Sequence, residues 1–575
     1  MKIILAQTAG FCMGVRRAVE LVMEAPEQHD PPICTYGPLI HNPQVLELLE
    51  EKGISILDAV PERGHGTVLI RAHGVPPEVK ADLDRAGYAV IDATCPRVIR
   101  VQTIIHRHSA QGFATIIIGD RDHPEVIGLL GYAGNQGHVA ASLAELQTLP
   151  PFEKAIVVAQ TTQNTGTFEE IQAWVKARHS HYKIFETICD STEKRQAEVK
   201  CMAALVDAVV VVGGKDSGNT QRLFEMARAT GKPAYHVETE RELDLEALSG
   251  LQCVGVSAGA STPNWQIRKV CRALELAPYR AAKSLRSRIH RLQRAIILTN
   301  VYLALGAGCL AYASQMLQML PGSLRHGVVA MLYVLSMHLL NNLTGSDADR
   351  YNSPEREHFY ARYKRPLAVL ACVSGGAGLA VAATSGLLPF VVLLVISLLG
   401  LSYNLHVLPG RLSGGRYRRI RDIPGSKTFL IAAAWSVVTG LLPALAAQRM
   451  SFATLLVTAW AGGIVFSRSA FFDLMDIQGD RLVGRETLPV LMGEKRAAAL
   501  IRHNLVAMTL LLLTMSVVGL VPSLGYLLLL VPLFMVAVIQ AHANGRIPSG
   551  ARLEFLMESV FILAGVLGFV WAIFV

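Results

Sequence analysis

The chain has 575 residues, 51% of them hydrophobic, and a formal net charge of +9. Its length holds several domains, and its apolar content is too high for a wholly soluble protein. The excess positive charge gathers beside apolar blocks, where it favours anionic headgroups. With no nucleic-acid motif present, a nucleic-acid partner is excluded.

The opening MKIILAQTAGFC has a shorter apolar core than the about 7 to 15 residues of a secretory signal, and no small-residue cleavage pattern. It reads instead as a strand and turn ending at Cys12. In chain order, TVLIRAHGV, YAVIDATCPR, ATIIIGDRDHPE, AIVVAQTTQN, YKIFETICDS, AVVVVGGKDSGNT and CVGVSAGAST each read as a strand running into a small or polar turn. Cys12, Cys95 and Cys189 close three of these runs, at the strand ends where α/β folds assemble their sites. Roughly ninety residues separate successive cysteines, which predicts three α/β units with pseudo-threefold symmetry, about 1–95, 96–188 and 189–279. Nine cysteines in a chain read as cytoplasmic point to metal or redox use rather than disulfides, and the strand-end trio suggests one shared iron-sulfur cluster. Cys34, Cys201, Cys253 and Cys271 lack that setting and read as packed thiols, while Cys309 and Cys372 fall in apolar blocks.

The strand-end turns are rich in His, Ser, Thr, Asn and Gly, which offer hydrogen bonds to phosphate oxygens without filling the space, so an anionic ligand is expected there. His41, His73 and His123 all stand in Gly- or Pro-flanked turns, and Glu125 follows in the HPE triplet at a helix start. GGKDSGNT lacks the spacing of a nucleotide-binding P-loop.

A basic linker spans 280–294, with Arg280, Lys283, Arg286, Arg288, Arg291 and Arg294. Residues 295–575 then form apolar blocks, read as nine helices centred near 307, 335, 376, 396, 438, 461, 510, 532 and 564, each near the ~20 residues a bilayer demands. Lys and Arg crowd alternate connections. This predicts a multi-pass protein of the inner (cytoplasmic) membrane, with residues 1–294 in the cytoplasm and the C-terminus on the far side.

The motifs GFCMGVRRAVE, GPLIHNPQV, RAHGV, DATCPRV, GDRDHPEVIG, AQTTQN, ICDSTEKRQ, GGKDSGNTQRL and GVSAGAST together resemble the 4-hydroxy-3-methylbut-2-enyl diphosphate reductases over residues 1 to about 278. The resemblance implies a 4Fe-4S cluster held by Cys12, Cys95 and Cys189, with one iron lacking a protein thiolate. It implies reductive removal of the allylic hydroxyl, giving isopentenyl and dimethylallyl diphosphate, with ferredoxin or flavodoxin as electron donor. Glu125 would be the acid and Thr161 its relay. His41, His73, His123, Ser217, Asn219 and Ser261 would hold the diphosphate, with the Gly218 backbone N–H also facing it and Thr192 a polar neighbour of the third cysteine. An iron-sulfur sensor or electron carrier is the competing reading.

Residues 295–575 resemble the UbiA-type intramembrane prenyltransferases. The second aspartate-rich motif is kept as FFDLMDIQGDRLVGRETLPVLMG, in which Asp473, Asp476 and Asp480 would stack on one helical face and share Mg²⁺ with a diphosphate. The first, NNLTGSDADRYNSPER, keeps Asn341, Asp349, Arg350, Asn352, Pro354 and Arg356, but has Asn342 and Gly345 where acids belong. Asp347 is a nearby substitute at a different angle. The resemblance implies transfer to a prenyl acceptor; the loss of two acids leaves a non-catalytic anchor or diphosphate-binding module as the alternative.

Overall fold

The computed structural model describes residues 1–280, 285–344, 352–403, 420, 423, 425–482, 486–547 and 550–575. The chain divides into two compact units, Met1–Ala281 and Ala282–Val575.

The first unit holds three four-stranded parallel sheets. In one, β2 (Ile33–Tyr36), β3 (Ser55–Leu57), β4 (Thr67–Ile70) and β5 (Ala89–Asp92) lie in the order β3-β2-β4-β5. In the next, β6 (Ala114–Ile118), β7 (Gly137–Ala140), β8 (Ala155–Ala159) and β9 (Lys183–Ile184) lie in the order β7-β6-β8-β9. The last contains β10 (Ala208–Val212), β11 (Ala234–Val237) and β12 (Cys253–Ala258), and recruits β1 (Lys2–Leu5) from the N-terminus, in the order β11-β10-β12-β1. The inner strands TVLI, ATIII, AIVVA and AVVVV are buried along their whole length, as expected of parallel strands covered on both faces.

The three sheets share one topology, cyclically permuted along the chain. The expected divisions at 95/96 and 188/189 fall between β5 and β6 and between β9 and β10, but β1 does not join the first unit's sheet: it pairs with β12, Lys2 opposite Cys253 through Leu5 opposite Val256. A parallel pair needs a crossover but sets no upper limit on chain separation, so nearness in sequence misassigned this strand. The site lies at the strand C-termini, where α1 (Met13–Gln28), α2 (Pro43–Glu51), α4 (Pro96–Ser109), α5 (Pro124–Ala133), α8 (Asp190–Ala203) and α9 (Gly218–Ala229) begin. The intervening helix α3 is Pro77–Ala86, α6 is Leu143–Thr148 and α7 is Thr165–Arg178.

The second unit is helical among the described residues. Each of the nine expected centres falls within a helix, but among the described residues six helices are long and apolar enough to cross a membrane, or seven if the pair Leu292–Leu298 and Val301–Leu317, bent by 71°, counts as one span. Leu387–Ser402 is too short, and Leu324–Leu343 is diluted by Arg325, His326, His338, Asn341 and Asn342. Most of the basic stretch expected as a linker is helical, within Leu285–Leu298, while residues 281–284 lie outside the described residues. Asp349, Arg350, Asp347 and Gly345 also lie outside them.

Candidate active site

Each cysteine follows the corresponding edge strand of its sheet, β1, β5 or β9, and occupies the N-cap of the next helix: Cys12 on α1, Cys95 on α4, Cys189 on α8. Three helix N-termini, with their partial positive charge, thus converge on one place. Every cysteine N–H is donated to the turn after the neighbouring strand, Cys12 to the Ala260 carbonyl (3.1 Å), Cys95 to Ala72 (2.9 Å) and Cys189 to Thr161 (2.9 Å). Those carbonyls belong to, or immediately precede, Ser261, His73 and Thr161. The backbone therefore ties every sulfur-bearing residue to an expected ligand-binding or catalytic one. A Cβ on Gly14 would stand 2.4 Å from the Cys95 Sγ, so only glycine lets α1 approach that sulfur.

All twelve residues expected in this half, namely Cys12, Cys95, Cys189, His41, His73, His123, Glu125, Thr161, Ser217, Gly218, Asn219 and Ser261, border one cavity of about 100 Å³, with Thr192 beside them. The histidine rings lie 4.8 to 5.8 Å apart between centroids. Burial drives all three imidazoles below their ordinary pKa, His123 to about 4, with Arg71 adding repulsion and Asp120 partly offsetting it at His123. His41 Nε2, His73 Nδ1 and Asn219 Nδ2 are buried without a hydrogen-bond partner, a pattern that calls for a polar ligand. His123 caps α5 by accepting the Glu125 N–H at Nδ1 (3.1 Å), which leaves its proton on Nε2. Ser261 Oγ donates to the His41 carbonyl (3.2 Å), joining two of the sheets at the cavity.

Glu125 is 2% exposed. Its Oε1 accepts the Thr161 N–H (2.6 Å), and its Oε2 accepts the Thr161 hydroxyl (2.8 Å). Burial raises its pKa against the opposing pull of these two bonds and of Arg222. The backbone donor cannot reverse its bond, so a proton on this acid resides at Oε2, facing the hydroxyl.

Several residues escaped the sequence reading. Arg222 bridges Asp120 (2.5 Å) and Thr162 (3.4 Å) beside Gly218. Arg195, 3% exposed, donates to the carbonyls of Gly10 (2.7 Å) and Ala258 (3.1 Å). Gln196 holds the Gln163 carbonyl and the Thr165 N–H, both at 3.0 Å. The signal available was a charged residue inside a motif, Arg195 in ICDSTEKRQ and Arg222 in GNTQRL, but exposed helical charge has the same appearance.

In the second unit the three expected aspartates span a break in the helix. The helix Phe452–Met475 ends before Asp476, its C-cap, and Asp480 follows in the separate helix Ile477–Leu482. Buried Asp473 accepts from Lys427 Nζ (2.8 Å) and from the Thr428 hydroxyl; Asp480 accepts from Asn352 (3.0 Å). Among the described residues no group of three acidic ligand atoms converges here as the three histidines do in the first unit. Asp476 and Asn341 line a polar cavity of about 150 Å³ with Lys427, Arg356 and Arg468. Asn341, His338 and Lys427 also line an apolar cavity of about 260 Å³. Asn342 donates to the Tyr360 hydroxyl (3.2 Å).

Comparison with known proteins matches residues 3–275 to the LytB protein family and residues 300–573 to the UbiA prenyltransferase family. A 4-hydroxy-3-methylbut-2-enyl diphosphate reductase of Geobacter sulfurreducens is 42% identical over 275 residues, 48% of this chain and 97% of its own length. Another, of Anaeromyxobacter sp., is 44% identical over 274 residues, 47% of this chain and 95% of its own. A solved UbiA homolog from Aeropyrum pernix aligns with 18% identity and a TM-score of 0.38, covering 47% of this chain and 98% of that one. Through its first 275 residues the chain belongs to the LytB family of 4-hydroxy-3-methylbut-2-enyl diphosphate reductases, and it continues into a UbiA prenyltransferase family domain.

Proposed function

We propose that the N-terminal unit reduces 4-hydroxy-3-methylbut-2-enyl diphosphate to isopentenyl and dimethylallyl diphosphate at the cavity bordered by Cys12, Cys95 and Cys189. The observation that carries this reading is the meeting, in one cavity, of three thiols at helix N-caps with a set of unpartnered polar atoms. The donor set suits a 4Fe-4S group: three cysteines, one from each sheet, with the space beside Cys95 kept open by Gly14. When bound, that group would supply electrons singly and polarise the substrate hydroxyl; the donor we infer is of the ferredoxin or flavodoxin class.

The chain's own residues orient the substrate and move its protons. His41, His73, His123, Ser217, Asn219 and Ser261 bind the diphosphate, with the Gly218 N–H at the start of α9 adding a backbone donor. Anchoring the unreactive end aligns the hydroxyl with Thr161, using remote binding energy for orientation. Thr161 Oγ passes its proton to the departing oxygen and takes the proton held at Glu125 Oε2. Burial favours the protonated form of Glu125, which suits it to hold a proton for transfer through Thr161 and to regain one afterwards. The test is turnover of the hydroxylated diphosphate by the anaerobically purified full chain with a strong reductant. A bound cluster without turnover would favour the sensor or carrier reading.

The membrane domain is a second site of diphosphate chemistry in this proposal. Its polar cavity with Asp476, Arg356 and Arg468 adjoins an apolar one through Lys427, Asn341 and His338, which favours an amphiphilic anion. We infer nine membrane helices, an inner-membrane location and a cytoplasmic reductase. Asp473, Asp476 and Asp480, with Asn341 and Asp349, are the residues that would hold Mg²⁺ and a diphosphate in transfer to a prenyl acceptor. Mg²⁺-dependent prenylation by washed membranes that is lost in Asp476→Asn would establish a transferase. No product with any acceptor would leave an anchoring or diphosphate-binding module.

A further inference from the structure

Arg195 is a guanidinium enclosed by backbone, in a place where a cation must have a use. It sits on α8, two turns from Cys189 at the helix N-cap, and is 3% exposed. Its NH2 donates to the Gly10 carbonyl (2.7 Å), two residues before Cys12, and its NH1 to the Ala258 carbonyl (3.1 Å), two residues before Ala260, whose carbonyl accepts the Cys12 N–H. Glu198, one turn further along α8, grips the same loop by accepting the N–H groups of Gln7 (2.6 Å) and Thr8 (2.9 Å) and the Thr8 hydroxyl (2.5 Å). One helix thus carries one cysteine at its end and clamps the loop that carries another.

Burying a guanidinium is unfavourable unless opposite charge compensates. Its two closest acceptors are neutral carbonyls, which satisfy donors but do not neutralise charge. Burial lowers the Arg195 pKa, and Cys12, Glu198 and Cys189 act to raise it. Two of these three compensating groups are sulfurs at the cavity.

We propose that Arg195 is a positioning residue that holds Cys12 and Cys189 in register and, through its buried charge, raises the reduction potential of the iron-sulfur group between them. The inference rests on the reading of the cysteine trio as cluster ligands. A fixed cation stabilises the more negative, reduced state, and net charge close to a cluster is one of the quantities that sets its potential. Glu198 sits on the same clamp with the opposite sign and should act in the opposite direction.

The experiment is a reductive titration of the anaerobically purified full-length protein, followed by electron paramagnetic resonance, for the wild type, Arg195→Gln, Arg195→Lys and Glu198→Gln. Arg195→Gln should make the cluster at least tenfold harder to reduce, a fall of about 59 mV for one electron. Arg195→Lys should recover most of that shift, although it cannot span both carbonyls. Glu198→Gln should move the potential upward. A purely structural clamp would change cluster content and leave the potential of the remaining clusters unmoved in every variant, which overturns the proposal. If Arg195→Gln retains no cluster, the sign of the Glu198→Gln shift decides: upward supports the electrostatic role, no change removes it. A wild-type protein that holds no cluster would sink the parent reading itself and this inference with it.

Discussion

Glu125 makes one hydrogen bond that it cannot reverse, from the Thr161 N–H, and one that it can, with the Thr161 hydroxyl. Glu125→Gln keeps the shape and the burial but has no proton to give, so it should bind diphosphate normally and lose about 10²- to 10⁴-fold in turnover, measured as kcat against KM. Because burial pushes the Glu125 pKa upward, wild-type turnover should fall as pH rises through that raised pKa, whereas residual turnover in the variant should lack this limb. The histidines titrate with the opposite consequence. His123 falls from an ordinary 6.5 to about 4, so between these values the unfolded chain binds the proton and the folded one does not. Stability of the ligand-free protein should therefore be fully present above about pH 6.5 and drop as pH falls toward 4, by about 3 kcal/mol from His123 alone. Thermal melts across this window should show the loss, and added inorganic diphosphate should reduce it; a flat profile would contradict the buried neutral trio.

At the scale of elements, the site is made of helix starts. The N-caps of α1, α4 and α8 carry the sulfurs, those of α2 and α5 stand at the His41 and His123 turns, and α9 begins at Gly218. Close approach of α1 to α4 depends on Gly14, where an added Cβ would overlap the Cys95 sulfur. Gly14→Ala should displace that thiol and sharply lower iron content per chain, measured by iron analysis and the visible absorption of the anaerobic protein, while far-ultraviolet circular dichroism stays close to wild type. Retention of full iron content would show that α1 can shift without cost. These helix starts were legible in the sequence because strand, turn and capping residue follow one another locally. The clamp made by Arg195, Gln196 and Glu198 was not, because its partners at Gly10, Gln163 and Thr8 lie far along the chain. In the membrane domain the aspartate spacing implied a continuous helical face, yet the helix Phe452–Met475 ends at the C-cap Asp476 and Asp480 lies in the next helix. Spacing gives an angle only while the helix continues.

For the whole molecule, the proposed topology makes the reductase surface accessible from the cytoplasm. Cys201 is exposed on that unit. A membrane-impermeant thiol reagent should label Cys201 in inverted vesicles and not in right-side-out ones, with Cys201→Ser as the control; labelling from the outer side would overturn the orientation.

The sequence by itself determined the class of each half, eight of the twelve strands with the turns that follow them, and twelve of the residues that border the cavity. These features are local: a polar turn after an apolar run, a capping position, or a motif of a few residues. Tertiary structure alone decided that β1 closes the last sheet, that each cysteine N–H binds the turn beside it, and that Arg195 is buried at their meeting point. The physical reason is that parallel pairing and burial of charge depend on which surfaces meet in space, and chain separation carries little information about that.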